Sequence, residues 1–318
     1  MDSVLHIGSI AGVPQELSSA QRRLGMKSDI LSFEADDFGY RTDYRYPIKL
    51  DFSSWRSCYI SNPLNLLRKM PILLRHIGNY DILHFHYSSG LPFGLDFPLW
   101  KVLRKKAVIH HHGGDIRNKG ERWLYSRLAD RIFVSTPDLL RWSKDAIWIP
   151  NPIDLEKYSY TGSKARHEDR DETVKILHAP SKRMIKGTEH ILGAIDKLKS
   201  EGYKIELILV ENTPHDRAIE YYKQADIVVD QLLIGWYGML AQECMALGKP
   251  VCVYIRDDLK PYMPFSPVLN TSTENIVENL RLLVTDQDLR EDLGAEGRKY
   301  VEQVHDSNKI GRVVTDLY

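Results

Sequence analysis

The sequence predicts an α/β protein made of two doubly wound units, each a parallel sheet wrapped by helices. Short runs rich in β-branched residues alternate with helix-patterned segments along the chain, the pattern of βαβ units. One stretch, 149–172, interrupts that alternation with Pro150, Pro152, Gly162 and a charged run at 164–172 that cannot form a core. A length of 318 residues accommodates two domains of ordinary size.

In the first half, strands are expected at 4–7, 29–33, 82–85, 108–111, 132–135 and 147–149. In the second half they are expected at 175–178, 205–210, 227–230 and 251–255. After Thr271 the pattern is helical, with helices expected at 273–284, 286–304 and 308–318. The domains then read as 1–152, a linker at 153–172, 173–303, and a terminal helix at 304–318 expected to return to the first domain.

A content of 43% hydrophobic and 27% charged residues is that of a globular protein and excludes disordered and collagen-like classes. Cys58, Cys244 and Cys252 show no CxxC spacing, which fits reduced core thiols in the cytoplasm better than a disulfide or zinc framework. The opening residues MDSVLHIGS lead straight into a strand without a basic and apolar leader. No apolar run approaches ~18 residues, so neither secretion nor membrane spanning is expected.

Net charge is zero, but residues 1–150 carry 21 Lys+Arg against 15 Asp+Glu, leaving 22 against 28 beyond. The basic clusters Arg68-Lys69 and Arg104-Lys105-Lys106 adjoin apolar segments. They could touch an anionic membrane surface at the inner face or a nucleic acid, although solvated helix faces are the plainer reading and nucleic acid is not expected as a partner.

Ligands of open parallel sheets sit beyond the carboxyl ends of the strands. Gly8 and Gly12 flank the loop after the first strand, where amides and a helix start could approach an anion or simply form a tight turn. His84 and His86 share one strand face, as do His110 and His112, followed by Gly113-Gly114-Asp115. Two such pairs could bind zinc, act as hydrogen-bond or proton groups, or pack. Arg183 and Lys186 fall in the loop before a helix, an arrangement suited to a diphosphate or to ordinary surface charge. Glu211 and Asn212 follow the next strand and could meet a base edge or ribose.

The stretch 226–248 joins an apolar strand (226–233), a turn with Gly235 and Gly238, and a helix that is apolar or small except at Gln242 and Glu243. A buried Glu243 needs a partner, since an uncompensated carboxylate costs several kcal/mol. The amides of Tyr237, Gly238, Met239 and Leu240 at that helix start suit phosphates or a sugar, and the carboxylate suits the vicinal hydroxyls of ribose.

These residues resemble the retaining family 4 glycosyltransferases of GT-B fold. IPNPIDLEKY is similar to the family's linker, KGTEHI with Lys186 to the KG pair that follows its diphosphate-binding arginine, and GWYGMLAQECMALGKPV to its EGFGxxxxEAMAxGxPV motif. The resemblance covers nearly the whole chain. It implies two Rossmann-like domains across a cleft and transfer of a sugar from a nucleoside-diphosphate sugar to an acceptor hydroxyl (glycan, lipid or small molecule), without a metal or other cofactor. Under it, Arg183 and Lys186 neutralise the leaving diphosphate, Glu243 holds the ribose, and the Gly12 loop approaches the phosphates. His86 contacts the transferred sugar, and His112 and Asp115 face the acceptor. The family's first glutamate is Gly235 here, with Asp230 or Gln231 as candidate substitutes. A non-catalytic nucleotide-sugar-binding protein and a nucleotide-sugar epimerase of the same fold are the alternatives.

Overall fold

A computed structural model describes residues 2–35, 38–48, 62–161 and 173–318. Cys58 and most of the expected linker, 162–172, lie outside the described residues. By its contacts the chain divides into one unit of residues 1–152 with 307–318 and a second of residues 153–306.

The elements run β1 (Val4–Ile7), α1 (Val13–Arg23), β2 (Ser28–Ser32), β3 (Tyr44–Arg45), α2 (Asn62–Leu67), α3 (Lys69–Ile77), β4 (Ile82–His86), α4 (Phe97–Val102), β5 (Lys106–His111), α5 (Trp123–Leu128), β6 (Arg131–Val134) and β7 (Ile147–Trp148). They continue with β8 (Val174–His178), α6 (Arg183–Lys186), α7 (Thr188–Ser200), β9 (Ile205–Leu209), α8 (His215–Gln224), β10 (Ile227–Val229), α9 (Met239–Ala246), β11 (Val251–Val253), β12 (Leu269–Asn270), α10 (Ile276–Thr285), α11 (Gln287–Val304) and α12 (Ser307–Leu317).

Both sheets are parallel, ordered β3-β2-β1-β4-β5-β6-β7 and β12-β11-β10-β8-β9. Strand order reverses between β1 and β4 in the first and between β8 and β10 in the second. The central strands are buried throughout, which is why they read as mostly apolar runs, interrupted in β1 and β4 by histidines. In the first unit Leu5, Leu83, Phe85 and Ile109 pack with Phe97 and Trp100 of α4. In the second, Ile176, Ile227 and Val229 pack with Ile191, Ile195 and Leu198 on the inner face of α7. Helix α12 packs on α1 in the first unit. Helix α11 begins at Asp286, whose carboxylate accepts the Leu289 amide at 2.9 Å as an N-cap.

Three local expectations differ from the structure. β3 and β12, two residues each, carry no apolar run that would mark a strand. β10 stops at Val229 although the apolar run continues to Leu233, because Gln231 folds the chain around itself. Its Oε1 accepts the amides of Leu233 and Ile234 at 2.9 and 2.7 Å, and its Nε2 donates to the carbonyls of Trp236 and Tyr254. Arg183 and Lys186 stand not in an open loop but on the single helical turn α6, closed by left-handed Gly187.

Cys244 and Cys252 are free and buried, and burial pushes both thiols up, Cys252 to about 12. Leu64, Leu67 and Leu74 of α2 and α3 are exposed beside the basic Arg68-Lys69 pair. Among the described residues no helix is long and apolar enough to cross a membrane.

Candidate functional site

Loops that follow the strands of a parallel sheet converge where strand order reverses. In the second unit those are the segments after β8 and β10. Lys186, after β8, donates to Asp230, after β10, at 2.8 Å, and the Asp230 side chain is wholly buried. The other Asp230 oxygen accepts the Gly238 amide at 2.5 Å, and the Lys186 carbonyl accepts the Leu232 amide. The reversal point is therefore tied together by one lysine and one aspartate.

Arg183 lies beside this tie, its side chain 45% exposed, and forms a two-pronged pair with Glu211 at 2.8 and 2.7 Å. The paired Arg183 holds the Glu211 carboxyl below its usual range, and Glu211 in turn raises the guanidinium. Glu211, expected near a base edge or ribose, is here the counter-ion of Arg183.

Glu243 is buried on α9, as expected, but the chain supplies its partners. Tyr158 Oη donates to its Oε1 at 2.8 Å and His215 Nε2 reaches the same oxygen at 2.7 Å. Both hydrogen bonds fall on Oε1. The inference that only a bound ligand could compensate this carboxylate is therefore corrected, since Tyr158 and His215 were not singled out in the sequence.

At the start of α9 the expected row of available donors is shorter. Gly238 gives its amide to Asp230, and the side chain of Tyr237 is core, its hydroxyl 2.9 Å from that of Tyr300 and 3.0 Å from His305 Nε2. The amides of Met239 and Leu240, in the first helical turn, find no acceptor among the described residues. Asp230 and Gln231, the candidate substitutes for the family's first glutamate, are both hydrogen-bonded within the loop. Gly235 has a φ of 91°, and a Cβ there would lie 2.4 Å from Arg256 Cγ. Arg256 fills the space a side chain at this position would need.

In the first unit the ligand end of the sheet is lined with imidazoles. His6 on β1 is in register with His84 on β4, and His86 with His110 on β5. All four rings are buried, with centroids 4.4 to 5.5 Å apart along the series His6, His84, His86, His110. Gln21 Oε1 can only accept, so His6 Nε2 donates to it at 2.8 Å. His6 Nδ1 then accepts from His86 Nε2 at 3.0 Å, and His86 Nδ1 accepts from His112 Nε2 at 3.1 Å. Burial pushes His6 and His112 down to about 4 and the other rings well below the usual range, so all are neutral near pH 7.

Both ring nitrogens of His86 are thus engaged within the chain, and no free one points at a sugar. His86 still lines a cavity of about 670 Å³ with Gly8, Glu34, Lys69, Ser88 and Ser89. Gly12, at φ 76°, starts α1, and a Cβ there would touch the Tyr40 ring at 3.0 Å.

The Asp115 side chain is buried and held within the chain. One oxygen takes the amides of His112 and Gly113, and the other lies 2.6 Å from His111 Nδ1. Glu121 meets the remaining nitrogen of His111. Burial lowers the His111 pKa, but hydrogen bonds to Asp115 and Glu121 outweigh it and bring it up to about 9. His111 went unnoticed in the HHH run because period two puts it on the opposite face from His110 and His112.

Two parallel-sheet units, each with a reversal of strand order, make the GT-B fold. Residues 13–157 match the model of Glycosyltransferase Family 4. Among solved structures the chain is similar to sucrose-phosphate synthase from Thermosynechococcus elongatus, with 15% identity, a TM-score of 0.71, and 99% of this chain and 98% of that one covered. The catalytic domain of starch synthase IV from Arabidopsis thaliana, bound to ADP and acarbose, aligns at 12% identity and a TM-score of 0.65, covering 99% of each chain. A putative UDP-N-acetylglucosamine 2-epimerase from Listeria monocytogenes aligns at 16% and 0.59, covering 98% and 94%. No curated protein matches the chain in sequence.

Proposed function

We propose that the protein transfers a sugar from a nucleoside-diphosphate sugar to an acceptor hydroxyl with retention at the anomeric carbon. The observation that carries this is the set of groups at the reversal point of the second sheet. Lys186 is preset by buried Asp230, Arg183 stands beside it, and two donor amides open α9. Such a set suits a diphosphate and the charge that develops on it as the glycosidic bond breaks. Starch synthase IV, of the same fold, was solved with ADP.

In this mechanism the diphosphate leaves from the face the acceptor enters. Arg183 exchanges Glu211 for phosphate oxygens, Lys186 stays fixed as a point charge, and these cations remove the need for a metal at the diphosphate. Glu243, with Oε1 held by Tyr158 and His215, turns Oε2 to the ribose hydroxyls. The acceptor occupies the cavity of the first unit, where His86 shapes the wall rather than moving a proton. The reaction is assigned to the cytoplasm, where Cys244 and Cys252 stay reduced.

The test is turnover of a panel of UDP-, GDP- and ADP-sugars with sugar acceptors, comparing the parent with Arg183→Gln and Glu243→Ala. Product from the parent and its loss in both folded variants is the expected result. Parental turnover in Glu243→Ala would remove that residue from the donor site. Sugar inversion without any acceptor would move the protein to the epimerases, and donor binding without turnover would make it a binding protein.

A further inference from the structure

The proposed transfer uses His86 only as a cavity wall and leaves His6 and His84 without a task. His6 on β1 and His84 and His86 on β4 are at most 3% exposed, and one ring nitrogen of each lies within 4.8 Å of the others. We propose that His6, His84 and His86 form a site for one zinc-type divalent transition metal, which ties β1 to β4 at the strand-order reversal.

Neutral imidazole is a good ligand for zinc and its neighbours. Each ring also turns one nitrogen outward onto the chain. His6 Nε2 meets Gln21 Oε1 at 2.8 Å, His84 Nδ1 meets Tyr318 Oη at 2.6 Å, and His86 Nδ1 meets His112 Nε2 at 3.1 Å. A metal-bound imidazole needs such an outer partner to fix its orientation.

The inward nitrogens are then His6 Nδ1, His84 Nε2 and His86 Nε2. His84 Nε2 is buried and has no hydrogen-bond partner, an exception that calls for a ligand. His6 Nδ1 and His86 Nε2 are 3.0 Å apart. Two nitrogens each about 2.1 Å from a tetrahedral zinc are about 3.4 Å apart, so the pair opens by about 0.4 Å on binding. The metal replaces the hydrogen bond between His6 and His86. The His86 proton shifts from Nε2 to Nδ1, where it is donated to His112 Nε2, and the His112 proton shifts to its own Nδ1. Every ring stays neutral.

His86, His110 and His112 also lie close enough to share an ion. There, however, both nitrogens of His110 lack a partner, so no outer contact would hold that ring. The assigned site belongs to the first unit, whereas the diphosphate groups belong to the second, and its role is structural. It stands independently of the transfer reaction.

The experiment strips the full-length protein with a chelator and titrates it with zinc chloride and cobalt chloride, followed by calorimetry and the visible cobalt spectrum. One metal per chain is expected, with a melting temperature that rises with free zinc. His84→Phe fills the same space without the unpartnered nitrogen and should stay folded by circular dichroism while losing stoichiometric binding. Gln21→Ala should weaken binding about 10- to 100-fold, an effect that packing alone would not produce. His110→Phe should bind as the parent does. Absence of stoichiometric binding in the parent, or its survival in His84→Phe, overturns the site. Loss in His110→Phe with survival in His84→Phe moves it to the other three histidines. Should His84→Phe fail to fold, parental affinity in Gln21→Ala overturns it.

Discussion

Replacing Gly235 with alanine puts a side chain at the position where the family's first glutamate stands, and the structure sets the cost. A residue with a Cβ held at φ 91° loses about 1–2 kcal/mol to backbone sterics. The new Cβ also falls 2.4 Å from Arg256 Cγ and 2.7 Å from Cδ. Arg256 cannot swing aside freely, because its guanidinium pairs with Asp258 at 2.8 and 2.6 Å and its amide donates to the Gly235 carbonyl. Overpacking of this kind costs about 1–3 kcal/mol.

Gly235→Ala should therefore destabilise the second unit by about 2–5 kcal/mol. The two contributions separate in a double-mutant cycle. In an Arg256→Ala background, which lacks Cγ and Cδ, the same substitution should cost only the backbone share of about 1–2 kcal/mol. Urea unfolding of the full chain by circular dichroism and tryptophan emission measures both, and Trp236 is the only tryptophan between residues 153 and 306. A Gly235→Ala protein within about 0.5 kcal/mol of the parent, the range of ordinary surface changes, would refute the reasoning. So would an equal cost in both backgrounds.

Lys186→Met strands the buried Asp230 charge and should cost about 3–5 kcal/mol in urea unfolding, most of it recovered when Asp230→Asn is added. This makes Arg183 the cleaner probe of chemistry, since its loss exposes no buried charge. Glu211→Gln releases Arg183 from its competing carboxylate and should tighten binding of a nucleoside diphosphate in calorimetry, whereas Arg183→Gln should weaken it; equal affinities in all three would detach this pair from the ligand. The third prediction concerns pH. His111 has a folded pKa of about 9 against an unfolded value of about 6.5, so its stabilisation is fully present below pH 6.5 and is lost as pH rises through 9. Its facing groups are Asp115, Glu121 and the Tyr125 ring. The urea midpoint should fall between pH 7 and 9.5 in the parent and flatten in Asp115→Asn, and a parental profile in that variant would contradict the assignment.

The alternation of apolar runs with helical segments was enough to place ten of the twelve strands among the described residues, because the strands at the middle of each sheet are buried on both faces and leave a mostly apolar signature. β3 and β12 escaped because Tyr44-Arg45 and Leu269-Asn270 form no apolar run, whereas β7, equally short and also at an edge, lies in Ile147-Trp148-Ile149. Near the donor groups, residue types were legible but their pairings were not. Arg183 and Glu211 are separated by 28 positions and Lys186 and Asp230 by 44, and only the parallel register after β8, β9 and β10 brings them together. Tyr158 and His215 were invisible as partners of Glu243 for the same reason. The histidine pairs on β4 and β5 were visible as a face, but His6 joined them only once β1 was known to lie beside β4. Period two set His111 apart and gave it a different charge state from its two neighbours.

The route of α12 bears on how the protein is made. The helix seats Gly311 so closely on Ala20 of α1 that an added Cβ would stand 2.7 Å from it. Arg23 reaches Ser307 and Asn308, and Tyr318 sits against His84. During synthesis the first unit therefore waits, partly assembled and with the α12-facing side of α1 uncovered, while the ribosome adds all of residues 153–306. The second unit, continuous in sequence, can close before the first is finished. Polypeptides released early should accordingly be vulnerable to proteases within their N-terminal half, the half that was translated first.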